Sequence, residues 1–151
     1  MQTVLIVYHS QSGTSARLAA AIAAGVGEES GVQGRLLRAS DAGADDLLAA
    51  DGLVLVGAEN SGALAGGLKD FLDRVFYPAM AAARVMPYAL AISAGNDGTG
   101  AQREAERILR GIPFVAATEA LLLRGESCPE HLRQGRELGQ AFATGLEMGI
   151  F

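Results

Sequence analysis

The sequence predicts a three-layer α/β fold, a doubly wound parallel sheet of five strands with helices on both faces. Strand-like and helix-like segments alternate along the chain, and the strand-like segments are apolar throughout instead of alternating with polar residues. Continuous apolar strands are typical of a parallel sheet that is covered on both faces. The 151 residues are 50% hydrophobic and 19% charged, which favours one ordered domain over residues 1–151 with a single core.

Three strands are evident from their apolar runs, at residues 3–8, 53–56 and 88–92. Residues 34–39 predict a weaker strand, and residues 114–123 contain a fifth. Each of the three evident strands is followed by small or polar residues and then by a helical pattern. This order is the one expected of successive β-α units.

The helices follow from apolar residues at helical spacing. In the first helix, residues 14–26, Leu18, Ile22 and Val26 recur at positions i, i+4 and i+8 and form one apolar stripe. Further helices are predicted at residues 45–50, 68–76, 100–109 and 129–148, of which the first is the shortest.

In open parallel sheets, ligands bind beyond the carboxyl ends of the strands, where the order of the strands reverses. The functional residues are therefore expected in the loops after Tyr8, Val56 and Ile92.

Composition narrows the choice of partners. The net charge is −5 with scattered lysines and arginines, so no nucleic-acid-binding face is expected, although mild acidity suits a basic redox partner. The single cysteine, Cys128, cannot form an intrachain disulfide, and Cys128 with His131 is too small a set for a metal site.

The first residues lack a basic leader, and the apolar runs fall short of the ~20 residues that span a bilayer. We therefore expect a cytoplasmic protein without membrane contact.

The loop after the first strand is rich in hydroxyl groups and precedes a helix. Helix N-termini bind anions through free N–H groups, and Gly13 allows a close turn. The loop contains no lysine, and it matches neither the P-loop nor the dinucleotide glycine pattern. A phosphate monoester held by neutral dipoles is predicted; the alternative is an ordinary helix cap by Ser12 or Thr14. The predicted phosphate-binding residues are Ser10, Gln11, Ser12, Gly13, Thr14 and Ser15.

Two stretches resemble the flavodoxin family and its relatives, the NAD(P)H-dependent FMN reductases and WrbA-type quinone reductases. Ser10-x-Ser12-Gly13-x-x-x-x-Leu18-Ala19 is similar to their phosphate loop. Residues 66–74 resemble the Gly-x-Leu-Lys-x-Phe-Leu-Asp-Arg helix that follows their second flavin loop. The resemblance implies a flavodoxin-like sheet of order 2-1-3-4-5 and FMN as the cofactor, with its phosphate in the first loop. For His9, a structural or merely exposed position is favoured over contact with the flavin edge.

The second loop is expected to border the flavin ring through Glu59, Asn60, Ser61 and Gly62. Related proteins usually carry an aromatic residue or a proline near positions 59 and 60, which Glu59 and Asn60 replace here. A carboxylate beside the ring would disfavour a negatively charged reduced flavin. Asp73 and Arg74, in the helix that follows, are expected to make structural contacts.

The third loop carries glycines at 95, 98 and 100, which permit close approach to a planar ligand. By the resemblance it borders the ring on the opposite side. The predicted contacts are Ser93, Gly95, Asn96, Asp97 and Gly98. The alternative is a turn in which Asp97 or Thr99 caps the next helix.

The resemblance implies an FMN enzyme that takes electrons from NAD(P)H or a redox protein and passes them to a quinone, a flavin or a similar small molecule. No catalytic acid, base or nucleophile is predicted, because the cofactor carries the chemistry. One alternative is a flavodoxin-type electron carrier with no substrate of its own; another, resting on Glu59, is a flavodoxin-like fold that has lost FMN. The reductase branch also implies a homodimer, for which residues 76–86 are either the surface or a packed loop.

Overall fold

Strands and helices alternate along residues 1–151, all of which the computed structural model describes. The strands are β1 (Gln2–Tyr8), β2 (Val32–Arg38), β3 (Gly52–Asn60), β4 (Ala63–Leu64), β5 (Pro87–Ala94), β6 (Val115–Ala116) and β7 (Leu121–Arg124). The helices are α1 (Thr14–Val26), α2 (Ala44–Leu48), α3 (Gly66–Ala82), α4 (Thr99–Gly111) and α5 (Pro129–Glu147), and a 3₁₀ turn, Ala39–Asp41, precedes α2.

The sheet has the order β2-β1-β3-β5-β6, and β7 also pairs with β5. All of these pairs are parallel, which confirms the α/β fold class and its predicted order 2-1-3-4-5. The predicted fifth strand is divided into β6 and β7. Residues 117–120 lie opposite only Ala89 and Leu90 of β5, and this excess of chain interrupts the ladder.

The third strand is longer than its apolar run predicts. β3 continues past Val56 to Asn60 and then turns back into β4, which pairs with it antiparallel. The two turn residues have positive φ, 52° at Ser61 and 78° at Gly62, as a tight two-residue hairpin requires. The stretch expected to be a loop is therefore mostly a β-hairpin.

Two apolar cores lie on opposite faces of the sheet. Alternate residues of β1 point to opposite sides, so Leu5 joins the core beneath α2, α3 and α4, and Ile6 joins the core beneath α1 and α5. The helices α1 and α5 pack closely at Gly25 and Gly139. Only glycine fits at these two positions, since a Cβ on either residue would overlap the backbone of the facing helix. These layers hold the carboxyl ends of β1, β3 and β5 at one edge of the sheet.

Residues 76–86 are neither wholly surface nor wholly packed. Tyr77 is 76% exposed and Met80 is 44% exposed on the last turns of α3, whereas Met86 is buried before β5. That a second copy of the chain covers this face stays a prediction. None of the helices combines the length and the apolar character needed to cross a membrane.

Candidate functional site

Three connections meet at the carboxyl edge of the sheet. The phosphate loop, residues 9–13, follows β1. The first ring loop, residues 59–62, consists of the last residues of β3 and the turn after it, and the second ring loop, residues 93–98, consists of the last residues of β5 and the turn after it. The His9 N–H donates to the Val56 carbonyl at 3.1 Å, and the Asn60 Nδ2 donates to Gln11 Oε1 at 3.4 Å. The structure therefore brings together the three regions in which the sequence predicted functional residues.

The phosphate loop turns sharply into α1. Gly13 has φ of +98° and its N–H donates to Ser10 Oγ at 3.0 Å. The first bond of the helix runs from the Arg17 N–H to the Gly13 carbonyl at 3.0 Å. The N–H groups of residues 10–12 have no acceptor in the protein, and the first N–H groups of a helix have none within it. A set of backbone donors at the start of α1 therefore has no partner in the protein.

The hydroxyl groups of the loop do not satisfy these backbone donors. Neither Ser12 nor Thr14 makes a side-chain hydrogen bond, and α1 has no side-chain cap. The alternative in which Ser12 or Thr14 merely caps the helix is therefore wrong. The first turn also contains no acidic residue, so nothing there repels an anion.

Arg17 is a residue that the sequence analysis missed. Its side chain folds back so that Nη1 lies 3.0 Å from the place where a Cβ on Gly13 would lie. Arg17 is exposed and pairs with no carboxylate. The loop thus has a cation beside it, although it contains no lysine. The signal was present in the spacing, since residues four apart share one face of a helix.

The side chain of Glu59 points to the N-terminus of α4 and not toward the phosphate loop. Its Oε1 accepts from the Gly98 N–H at 3.3 Å, and its Oε2 accepts from the Ala101 N–H at 3.4 Å. A carboxylate is favoured at a helix N-terminus, where the backbone dipoles leave partial positive charge. Glu59 therefore supplies the acidic group that the first turn of α4 itself lacks.

The hairpin is fixed to α4 at two further points. The Leu64 N–H donates to Glu104 Oε2 at 3.1 Å. At the tip, the Gly62 carbonyl packs so closely on Gly100 that a Cβ there would overlap it. Asn60, Ser61 and Gly62 stay exposed at this tip.

The loop after β5 is closed by its own hydrogen bonds. Asp97 Oδ1 accepts from the Thr99 N–H at 3.0 Å and from Thr99 Oγ1 at 2.9 Å. These two bonds, the backbone one first, hold the pKa of Asp97 below its ordinary value. The Arg124 Nε also donates to the Asp97 carbonyl at 2.9 Å. Asp97 therefore stabilises a turn, as the alternative predicts, but neither Asp97 nor Thr99 caps the helix, because the N-cap of α4 is Gly98 and it has no side-chain cap. Contact of Ser93, Gly95, Asn96, Asp97 and Gly98 with a flavin stays a prediction.

A buried hydroxyl lies beneath the phosphate loop. Ser93 Oγ is buried and has no hydrogen-bond partner, and Ser93 lines a narrow cavity together with Thr14, Ser127 and His131. His131 is remote from Ser93 along the chain, but α5 begins at the same edge of the sheet at which β5 ends. The start of α5, at His131, therefore adjoins the loop after β5.

A cleft of about 520 Å³ adjoins the phosphate loop on the side of β2. Of the predicted site residues it includes Ser10, Gln11 and Gly13, and none from the ring loops. His9 lies at its edge and packs on Gly67, where a Cβ would overlap the imidazole ring. His9 therefore makes the structural contact that was favoured for it.

No group of three or more His, Cys, Asp or Glu side chains is placed to hold a metal ion. Arg74 also has the structural role that was expected. Its Nη1 and Nη2 each donate at 2.7 Å, to the carbonyls of Ala42 and Ala39, and its Nε donates to Asp70 at 2.9 Å. Arg74 thereby ties α3 to the turn after β2.

Solved structures with this fold superpose on nearly the whole chain. A flavodoxin from the domain Archaea matches with a TM-score of 0.85 at 18% identity, over 97% of this chain and 99% of its own. A WrbA-like flavodoxin from Agrobacterium tumefaciens matches with a TM-score of 0.77 at 17% identity, over 98% and 99%. A flavodiiron protein from Giardia intestinalis has a TM-score of 0.83 at 16% identity; the match covers 98% of this chain but 37% of that one.

The sequence itself matches no protein-family model and no curated protein. The class that the fold defines is nevertheless clear: the chain has the flavodoxin-like fold. Residues 10–19 and 66–74, which carried the resemblance, occupy the phosphate loop with α1 and the first turns of α3.

Proposed function

We propose that the chain binds FMN and acts as a redox protein. The observation that carries this proposal is the phosphate loop, with its unsatisfied N–H groups, its left-handed glycine and Arg17 beside it. Bound FMN would supply electron-transfer chemistry, while the protein binds and orients it. The free donor set fits a phosphate monoester, which carries nearly two negative charges and three acceptor oxygens.

Different residues would contact the phosphate and the ring of FMN. The N–H groups of residues 10–12 and of the first turn of α1 hold the phosphate, and the hydroxyls of Ser12 and Thr14 add two donors. Arg17 supplies positive charge. The exposed hairpin tip and Asn96 border the ring, and the carboxylate of Glu59 is held by α4. This arrangement weakens the argument that Glu59 excludes FMN.

The activity we propose is an NAD(P)H-dependent reduction. One NAD(P)H and one proton together reduce a quinone to its hydroquinone and leave NAD(P)⁺, and another flavin is an equivalent two-electron acceptor. The likeness to a WrbA-like flavodoxin supports this reading. The exposed residues of the ring loops leave the edge of a bound ring open to such small molecules.

An electron carrier is the second candidate, and the match to the archaeal flavodoxin over 97% of one chain and 99% of the other favours it. In that case a redox protein replaces NAD(P)H as the electron donor, and the exposed ring edge serves protein partners instead of a substrate.

Cofactor titration tests the binding proposal. The purified protein, stripped of flavin, is titrated with FMN and with riboflavin, which lacks the phosphate. We expect one FMN per chain and much weaker binding of riboflavin. Ser12→Ala with Thr14→Ala should weaken FMN binding roughly tenfold or more, because two hydroxyl hydrogen bonds to a charged phosphate contribute about 1 kcal/mol or more each. Ser30→Ala, which removes an exposed hydroxyl in the turn between α1 and β2, is the matched control. Equal affinity for FMN and riboflavin would overturn the assignment of the loop.

Anaerobic addition of NADPH then separates the two activities. Rapid loss of the visible flavin absorption supports the reductase. Absorption that persists until a redox protein is added supports the carrier. A protein that takes up no FMN would establish the third alternative, the fold without its cofactor.

A further inference from the structure

The cleft on the β2 side of the phosphate loop lies away from the ring loops. The strand order β2-β1-β3-β5 places the loop after β1 between the end of β2 and the ends of β3 and β5. A flavin whose phosphate lies in this loop, and whose ring lies over β3 and β5, directs its phosphate end toward the cleft. A group attached to that phosphate would therefore enter the cleft.

The walls of the cleft are fixed before any ligand binds. The turn after β2, which contributes Ala39 and Ser40, is held by the two Nη donors of Arg74. His9 packs on Gly67 at the start of α3 and completes the inner wall. A preformed cleft lowers the ordering cost of binding. Its volume of about 520 Å³ lies in the range of small-molecule sites.

The charge of the cleft favours an anion. Arg38 pairs with no carboxylate, and its Nε donates to the Tyr8 hydroxyl at 3.3 Å, which leaves both Nη groups free. The acidic lining residue, Asp70, already accepts from Arg74. The start of α3 at Gly67 adds partial positive charge, and its first turn contains no acidic residue.

We propose that this cleft binds the adenosine-phosphate half of a flavin dinucleotide, so that the chain accepts FAD as well as FMN. The first phosphate occupies the phosphate loop, and Arg38 pairs with the second. Ser10 and Gly13 belong to both the loop and the cleft, so the two phosphates of one anhydride reach both regions. This inference rests on the proposed binding of a flavin phosphate in the loop.

The test compares FAD and FMN on the same flavin-free protein by quenching of flavin fluorescence, with calorimetry as a second readout. We expect the two dissociation constants to agree within about tenfold. Arg38→Gln should weaken FAD roughly fivefold and FMN less than twofold, since an exposed Arg–phosphate pair contributes modestly. Ser40→Phe fills the cleft without removing charge and should act in the same selective way. The matched control is Arg107→Gln, an exposed unpaired arginine on α4.

The outcomes separate this proposal from the one on which it rests. Tight FMN binding with FAD bound more than about tenfold more weakly overturns the proposal and leaves the FMN site standing. Equal weakening of both cofactors by Arg38→Gln also overturns it, because Arg38 would then act on the first phosphate. Binding of 5′-AMP or NADPH to the FMN-loaded protein, lost in Arg38→Gln and without FAD binding, assigns the cleft to a separate nucleotide and overturns it too. If neither flavin binds, the proposed function itself fails.

Discussion

The phosphate loop and the ring loops are both rich in polar residues and glycine, yet they use them differently. In the phosphate loop, backbone N–H groups and the hydroxyls of Ser12 and Thr14 have no partner in the protein. In the ring loops, Glu59 accepts from the start of α4, and Asp97 accepts from Thr99. The same residue types thus form an open donor set in one region and a closed scaffold in the other.

Under the proposed function, unsatisfied groups locate the ligand better than polar composition does. Unpartnered N–H groups at a helix N-terminus favour an anion, so under the proposed function they locate the phosphate. The ring loops keep a backbone framework with an exposed tip at Asn60, Ser61 and Gly62. Their side chains serve mainly to fix that framework.

One glycine with positive φ lies in each region, so the phosphate loop and the first ring loop can be altered separately. Gly13 has φ of +98° and Gly62 has φ of +78°, so an added Cβ strains the backbone at each by about 1–2 kcal/mol. Gly13→Ala should also displace the Arg17 guanidinium, and we expect the preference for FMN over riboflavin to fall at least tenfold, as flavin titrations measure.

Gly62→Ala serves as the matched control, because the site of its Cβ is open. It should lower the free energy of unfolding by a similar amount and leave the preference for FMN over riboflavin unchanged. A loss of that preference in Gly62→Ala would show that the two regions do not act separately.

Glu59 gives the next largest effect, on stability. Glu59→Ala removes the acceptor of the Gly98 and Ala101 N–H groups, so we expect the free energy of unfolding to fall by about 1 kcal/mol, as for the loss of a helix cap. Urea unfolding of the flavin-free protein measures it. Glu126→Ala, an exposed carboxylate without a partner, should change little. Full stability in Glu59→Ala would mean that the hairpin does not depend on this contact.

The sequence predicted the layers of the fold because burial leaves a simple periodic pattern. Helix α1 was predicted with its observed bounds, Thr14–Val26, from one apolar stripe. The hairpin was missed because residues 57–60 lose the apolar pattern while still extending β3. The division of the fifth strand depends on register against β5, which periodicity within one segment does not contain.

The candidate site was predictable where it depends on backbone, and less so where it depends on long side chains. Strand order and a loop before α1 locate the donors of the phosphate loop. The destinations of Arg17 and Glu59 depend on rotamers and on the distance between two loops, and His131 reaches the site only through the packing of α5. Such contacts join residues that are remote in sequence, or long side chains that could reach several different partners, so the sequence alone does not predict them.

Arg17 offers a smaller test of the phosphate loop. Arg17→Gln removes one exposed positive charge, so the affinity for FMN should fall about three- to fivefold while riboflavin binding is unchanged. Titration at two salt concentrations should also show a weaker salt dependence in the variant. Arg107→Gln removes the same charge at a distance and should leave both quantities unaltered. A variant that binds FMN like the wild type would mean that the neutral donors suffice.

The smallest expected effect concerns Asp97, whose pKa is lowered by the Thr99 N–H and hydroxyl. A lowered pKa in the folded state means that Asp97 stabilises the fold above the ordinary carboxyl pKa of about 3.9, and that this contribution is lost as the pH falls through the lowered value. Thr99→Ala should raise the pKa of Asp97 only partly, because the backbone N–H remains. Carbon-13 NMR of the Asp97 carboxyl measures this pKa in the wild type and in Thr99→Ala. If added FMN leaves this titration unchanged, the carboxylate is committed to the scaffold; a shift on FMN binding would place the ring against Asp97 and erase the contrast between the two regions.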